Sequence, residues 1–377
     1  MILKKKILFV VNVDWFFISH RLILAEAAIK EGYEVVVACS DSGRKHEIES
    51  VGATFVNLNF ERSGTNPFKE LITLYNFYKL YKNIKPSLIQ HITLKPVTYG
   101  SLIAFFLKIP TVNSISGLGF NFTEDKKGFS TRLMILLMRL GFKNKKLICI
   151  FQNYDDRKVI EFRSILKNSD KIVMIKGAGV DLKKFYFSTP TIKDKISIIL
   201  PARLLWDKGV NEFHDASLIL RERYRGKIEF KLIGMADIDN NAGVGEDEVQ
   251  EWIEEGYFSR INYQIDMVPI YTESDIVVLP SYREGMPKTL LEACSVGRPI
   301  VTTNAIGCRE CVDEGVNGFK VPVKSAVDLA NAIEKLIINE PLRVKMGIAS
   351  RLKAEREFDK KNVILKHLEI YKSLLNE

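Results

Sequence analysis

Continuous apolar runs of four to eight residues alternate along this chain with stretches whose apolar positions recur every three or four residues. Residues 7–13 are apolar but for Asn12, the pattern of a strand covered on both faces. Residues 20–31 carry Leu22, Ile23, Ala27 and Ile29 at helical spacing and stop near Gly32. The same reading predicts strands over 33–39, 88–91, 111–115, 147–152 and 172–175, with helices over 68–82 and 98–107. After a linker at 177–191 the pattern restarts. Strands are predicted over 195–200, 229–234, 275–279 and 299–302, and helices over 210–224, 289–295, 326–338 and 362–375. Repeated strand–helix–strand units give a parallel sheet with helices on both faces. The fold class is therefore α/β, with two doubly wound Rossmann-like domains. Ligands of such sheets bind outside the carboxyl ends of the strands. With two domains, the expected site is the cleft they face across.

A length of 377 residues suits two domains, and 46% hydrophobic with 27% charged residues excludes a disordered, collagen-like or coiled-coil chain. No stretch approaches the roughly 20 apolar residues a membrane-spanning helix needs. The richest window, 133–140, contains Arg139 and runs into Lys143, Lys145 and Lys146. The amino terminus is basic and then apolar. Its apolar run is short and lacks a small-residue cleavage site, so it reads as a first strand instead of a signal peptide. Five scattered cysteines suggest a reducing compartment. Cys308 and Cys311 have no second pair to complete a zinc site.

The net charge of +9 is unevenly placed. Residues 1–180 hold 27 Lys and Arg against 15 Asp and Glu, and residues 62–149 alone hold 14 against 3. A basic half beside a nearly neutral one points to a polyanionic partner. Basic residues here interleave with Phe68, Leu71, Tyr75, Tyr78, Leu133 and Leu136, a mixture that suits an anionic membrane surface better than a nucleic-acid groove.

Four segments carry candidate chemistry. In 280–297 a polar loop with Glu284 leads into a helix containing Glu292. Free backbone N–H groups at that helix start make an anion site, and Gly285, Met286, Pro287, Lys288, Thr289 and Leu290 are the donor-binding candidates around it. In 200–210, Arg203 and Lys208 lie five apart in a strand-to-helix loop, where both can converge on one phosphate. In 12–21, Asp14 is placed to cap a helix. Trp15, Phe16 and Phe17 suggest a contact surface, and His20 and Arg21 open the helix. In 114–120, Gly117 and Gly119 permit close backbone approach after a strand. Asp237 and Asp239 mimic a metal clamp, yet their Asn-rich surroundings read as a loop.

These segments together resemble the family-4-type retaining glycosyltransferases with the GT-B fold. The resemblance rests on Gly177-Ala-Gly-Val180, Arg203-x4-Lys208, Asp275-Ile-Val-Val-Leu-Pro-Ser-Tyr-Arg-Glu284-Gly, Glu284-x7-Glu292, Gly297-Arg-Pro, Gly307-x-x-Glu310 and Glu314-Gly-Val-Asn-Gly318. Within the family, Ser63-Gly-Thr-Asn66-Pro67 and Gly117-Leu-Gly119 look most like bacterial enzymes that extend a lipid-diphosphate sugar. The first loop departs from the Gly-Gly of many members.

The resemblance implies an acceptor-binding, membrane-facing domain over 1–178 and a nucleotide-sugar domain over 179–358. It also implies a helix over 359–377 that crosses back to the first domain. Glu292 would receive the ribose hydroxyls, Glu284 the transferring sugar, and Arg203 and Lys208 the diphosphate of a UDP-sugar. The acceptor would be a polyprenyl-diphosphate-linked saccharide, with Asp14, Phe17, His20, Arg21, Arg62, Lys95, Gly117 and Gly119 on the acceptor or phosphate side. The expected cofactor is none, because two cations and a helix terminus replace a metal. The expected place is peripheral, on the cytoplasmic face of the inner membrane. Two other readings stay open at this point. One is an epimerase-like protein of the same architecture acting on UDP-sugars. The other is a basic nucleic-acid-binding protein, although no RRM or OB-type motif is present.

Overall fold

The computed structural model describes residues 4–58, 67–118, 128–166, 169–190, 194–235, 242–254, 258–262 and 264–376. Arg62, Gly119, Asp237 and Asp239 lie outside them, as do residues 63–66. The chain divides into two units, one comprising 1–178 and 361–377, the other 179–360.

The first unit runs β1 (Lys6–Val13), α1 (Asp14–His20), α2 (Leu22–Lys30), β2 (Glu34–Ser40), α3 (Lys45–Ser50), β3 (Thr54–Asn57), α4 (Pro67–Ile84) and β4 (Leu88–Ile92). It continues with α5 (Ser101–Leu107), β5 (Thr111–Ile115), α6 (Phe129–Gly141), β6 (Leu147–Phe151), α7 (Tyr154–Phe162) and β7 (Ile172–Met174). Its seven parallel strands are ordered β3-β2-β1-β4-β5-β6-β7. The apolar run of β1 explains its central place, since Ile7 to Val11 are fully buried.

The second unit runs β8 (Ile196–Pro201), α8 (Val210–Arg221), β9 (Ile228–Ile233), α9 (Glu246–Glu254), β10 (Phe258–Ile261), α10 (Val268–Thr272) and β11 (Ile276–Leu279). Then follow α11 (Lys288–Val296), β12 (Ile300–Thr303), β13 (Gly318–Val321), α12 (Ala326–Ile337) and α13 (Glu340–Lys353). The strand order is β10-β9-β8-β11-β12-β13, again parallel. The final helix, α14 (Lys360–Leu375), packs Val363, Leu368, Ile370, Tyr371 and Leu374 into the core of the first unit. The Tyr371 hydroxyl donates to Gln90 Oε1 on β4, and Gln90 in turn donates to Ser114 on β5 at 2.8 Å.

In each sheet the direction of strand addition reverses once, between β1 and β4 and between β8 and β11. Such switch points open a crevice at the carboxyl ends of the two strands. The opposite edge of the first unit has a different character. Lys5, Lys85, Lys108, Lys143, Lys145, Lys146 and Lys171 all lie within four residues before the starts of β1, β4, β5, β6 and β7. Much of the positive charge therefore collects at the amino edge, where helices α4, α5 and α6 end and cations complement their carbonyls.

Sequence reading and structure differ most at the first loop. Residues 14–20 are not a loop but helix α1, which follows β1 directly. No glycine or proline interrupts the passage, and Asp14 occupies the first helical position instead of the cap. Chain direction then changes at Arg21, so the helix predicted over 20–31 begins at Leu22.

Candidate nucleotide-sugar site

The site of the second unit is built at its switch point. Strand β8 ends at Pro201 and delivers Arg203 and Lys208. Strand β11 ends at Leu279 and delivers Ser281 and Glu284. Gly209 (φ +73°) turns the first loop into α8, and a Cβ there would lie 2.3 Å from the Pro280 carbonyl oxygen. The two loops are tied through their backbones, because Tyr282 N donates to Asp207 O at 2.8 Å.

Across this seam Lys208 Nζ pairs with Glu284 Oε1, and both side chains are about 85% buried, with exposures of 14% and 15%. Ser281 Oγ lies 2.9 Å from the same carboxylate oxygen and 3.0 Å from Asp207 O. Glu284 N donates to Ile306 O at 2.9 Å, which fixes the loop against the segment after β12. Gly307 (φ +83°) allows that approach: a Cβ there would sit 2.4 Å from Glu284 O and 2.7 Å from Gly285 O. Tyr282 donates to Glu212 Oε1 at 2.6 Å, with Lys324 Nζ 5.2 Å from its ring centroid.

Helix α11 starts beside Glu284. Pro287 is its cap in extended conformation, and no side chain caps the helix. The start of such a helix carries the positive end of its dipole and favours negative charge. Glu292 lies one turn in, buried, with Lys288 Nζ at 3.4 Å. Burial pushes its carboxyl pKa up, against the pull of Lys288, the Tyr271 hydroxyl and Lys184. Several residues of the predicted donor segment are committed to the interior. Leu290 is fully buried, Met286 packs with its sulfur 3.3 Å from Cys311 Sγ, and Thr289 Oγ1 donates to Pro201 O at 2.9 Å. The Leu290 N–H is committed too, donating to Pro287 O at 3.0 Å. Arg203 is exposed at the mouth of its loop, and the pair Lys208 forms is with Glu284.

The residues expected on the acceptor side separate in the structure. Asp14 is fully buried, and its carboxylate accepts Trp15 N (2.6 Å), Ser42 N (2.7 Å), Ser42 Oγ and Arg44 N (3.1 Å). Burial alone would raise its pKa, but these donors outweigh it and the net shift is downward. Asp14 is thus an anchor for the loop after β2, with its oxygens spent. Phe17 is a core residue packed edge-on against Phe9. Arg21 is 3% exposed; its guanidinium donates to His20 O, and burial lowers its pKa to about 10. His20 is half-buried and stacks on Phe16 at 4.3 Å. Lys95 is paired with Glu70 at 2.8 Å, and Gly117 follows β5 with φ +131°. Two residues the sequence did not single out occupy the switch point of this unit. Thr93, after β4, holds φ +72°, and its hydroxyl donates to Asn12 Oδ1 of β1 at 2.7 Å. A β-branched residue in the left-handed region is a genuine outlier.

All five cysteines are buried free thiols, and burial pushes Cys308 up to about 12. Among the described residues, no group of three or more His, Cys, Asp or Glu side chains is gathered to hold a metal, and no helix is long and apolar enough to cross a membrane.

A doubly wound unit with two cations, two acidic side chains and an uncapped helix start at its switch point suits a nucleoside diphosphate sugar. The chain belongs to the GT-B glycosyltransferases: residues 183–353 match the family described as glycosyl transferases group 1, and residues 6–153 match glycosyl transferase 4-like. It is a transferase. It is 28% identical, over 94% of its length and 97% of the relative's, to the N,N′-diacetylbacillosaminyl-diphospho-undecaprenol α-1,3-N-acetylgalactosaminyltransferase of Campylobacter jejuni. It is 25% identical, over 83% of its own length and 82% of the relative's, to the UDP-Gal:α-D-GlcNAc-diphosphoundecaprenol α-1,3-galactosyltransferase of Escherichia coli. Anabaena HepE, solved with UDP and glucose, shares the fold with a TM-score of 0.78 at 18% identity, covering 98% of this chain and 100% of that one. These likenesses support neither the epimerase-like nor the nucleic-acid-binding reading.

Proposed function

We propose that this enzyme moves a sugar, an N-acetylhexosamine, from a UDP-sugar to a polyprenyl-diphosphate-linked saccharide with retention of configuration. The product would serve assembly of a capsule, an O-antigen or a glycoprotein glycan. One observation carries the proposal: an end-to-end match to a relative whose name specifies both an undecaprenyl-diphosphate acceptor and N-acetylgalactosaminyl transfer. The second unit supplies chemistry to suit. Glu292 accepts the ribose hydroxyls. The diphosphate takes Lys208 and Arg203 together with the N–H groups of α11, so charge developing on the leaving phosphate meets preorganised donors. Glu284, released from Lys208, receives hydroxyls of the transferring sugar. In this reading the leaving phosphate takes the acceptor proton, and cations replace a metal.

The first unit takes the acceptor, at an anionic membrane surface on the cytoplasmic side of the inner membrane. Support comes from α4. Leu71, Ile72, Tyr75 and Tyr78 are exposed on one face of this helix, and exposed Lys79 and Lys82 continue it. The amino end of α4 lies at the carboxyl edge of the sheet, where ligands of this fold dock. An apolar, then aromatic, then cationic face is the pattern of a helix resting in a lipid interface.

The test mixes the protein with an undecaprenyl-diphosphate-linked amino sugar and a panel of UDP- and GDP-sugars, with and without EDTA. The expected result is a lipid mobility shift with equimolar UDP release, unaffected by EDTA. Transfer with GDP-sugars alone, or with no lipid-linked acceptor, overturns the reading.

A further inference from the structure

The Ser281 hydroxyl is fully buried and has one proton for two acceptors, Glu284 Oε1 at 2.9 Å and Asp207 O at 3.0 Å. The two acceptors are not equally dependent on it. Asp207 O also receives Tyr282 N at 2.8 Å. Among the described residues, the side chains that reach Glu284 Oε1 are those of Lys208 and Ser281. The serine backbone is held separately, since Thr303 Oγ1 donates to Ser281 O. The hydroxyl can therefore turn toward Glu284 without loosening either loop.

We propose that Ser281 is a positioning residue that keeps Glu284 in place once Lys208 has left it for the donor diphosphate. The inference rests on the roles proposed above for Glu284 and Lys208. With the nucleotide site empty, Lys208 holds the carboxylate and the serine proton is shared. When the diphosphate draws Lys208 away, Glu284 loses its cation, and its carboxylate is left about 85% buried in a narrow seam. A buried carboxylate that loses its partner moves or takes a proton. The Ser281 hydroxyl, already within hydrogen-bond distance, then gives its proton wholly to Glu284 Oε1. Asp207 O keeps the Tyr282 N–H. The carboxylate stays anionic and aimed while the sugar binds. Ser281 touches no substrate and acts through Glu284 alone.

The test uses Ser281→Ala, with Ser281→Cys as a variant of similar volume and poor donor strength and Ser281→Thr as one that keeps the hydroxyl. Binding of UDP is measured by calorimetry. Turnover is measured as UDP release from the most active UDP-sugar of the panel. Because a hydrogen bond to a charged group is lost, kcat should fall roughly ten- to a hundredfold in Ala and Cys. UDP affinity and KM should stay within about twofold, and Thr should recover most of the loss. Repeating Ser281→Ala in a Glu284→Gln background should add less than about a twofold loss, since coupled residues are not additive. A parallel loss of UDP affinity and Tm, or a full extra loss in the Glu284→Gln background, overturns the inference and makes Ser281 a packing residue. If Glu284→Gln by itself leaves turnover intact, the role of Glu284 fails instead, whatever Ser281 does.

Discussion

Replacing Gly307 by alanine probes how closely the segment after β12 must approach the loop that carries Glu284. At φ +83° an alanine is strained by about 1–2 kcal/mol. The added Cβ meets backbone only: Glu284 O at 2.4 Å, Glu284 C at 2.6 Å and Gly285 O at 2.7 Å. An unstrained carbon contact is roughly 3.5 Å, so the Glu284 backbone must retreat by about 1 Å. Overpacking of this kind costs about 1–3 kcal/mol more. For a unit of this size, each kcal/mol lowers Tm by about 2–4 °C. The total loss of about 2–5 kcal/mol thus corresponds to roughly 4–20 °C. The larger effect falls on the reaction, because about 1 Å of misplacement can cost 10²-fold. Gly315 is the control. It has φ +72° with nothing within 4 Å of a Cβ, so Gly315→Ala should cost only the backbone strain and leave turnover near normal. Calorimetric unfolding and UDP release are measured for both variants. Equal Tm losses together with full activity in Gly307→Ala would refute the argument that this glycine sets the position of Glu284.

Three further outcomes are expected. Lys208→Ala and Arg203→Ala should each weaken UDP far more than uridine in calorimetry, by the roughly 1.5–3 kcal/mol of a charge-assisted contact; equal losses would make these cations structural. Asp14→Asn should destabilise the first unit by about 1–3 kcal/mol at neutral pH. The folded-state pKa of Asp14 is depressed, so its contribution is present above the unfolded value of 3.8 and is lost as pH falls through the folded value; the gap between variant and parent in urea unfolding should therefore close in acid, and a constant gap would contradict the anchoring role. Leu71→Glu with Ile72→Glu should abolish flotation with vesicles containing phosphatidylglycerol and spare turnover on a short-chain acceptor; unchanged flotation would remove α4 from the membrane contact.

Much of the architecture was legible because buried parallel strands are written as short runs rich in apolar and β-branched residues. Strand β5 begins and ends at the residues the pattern gives, β1 and β11 differ by a residue at the start, and β8 is shifted by one residue. The first loop was misread for a physical reason. Trp15, Phe16 and Phe17 look like a surface when no turn residue is in sight, yet one turn of helix sends Phe17 inward and leaves its neighbours half-buried. Asp14 reads as a cap, and Lys95 is expected on the acceptor or phosphate side. Their partners, Ser42, Arg44 and Glu70, are 25 or more residues away in sequence. The same distance hid the pairing of Lys208 with Glu284, 76 positions apart, and the place of Ser281 between them. Local pattern reveals which loops follow which strands. Which side chains those loops exchange is settled by strand order, and strand order is not written locally.

The place of α14 bears on how the chain is made. The helix belongs to the first unit, yet the ribosome reaches it only after the whole second unit. At about 5–20 residues per second, roughly 10–40 seconds separate the synthesis of β7 from that of Tyr371. Through that interval the nascent first unit exposes the groove that Val363, Leu368, Ile370 and Leu374 will fill, with Gln90 at its floor awaiting the tyrosine hydroxyl. The second unit, continuous in sequence, is free to fold meanwhile. Chaperone capture during synthesis should accordingly concentrate on the amino-terminal portion and end when the last helix emerges.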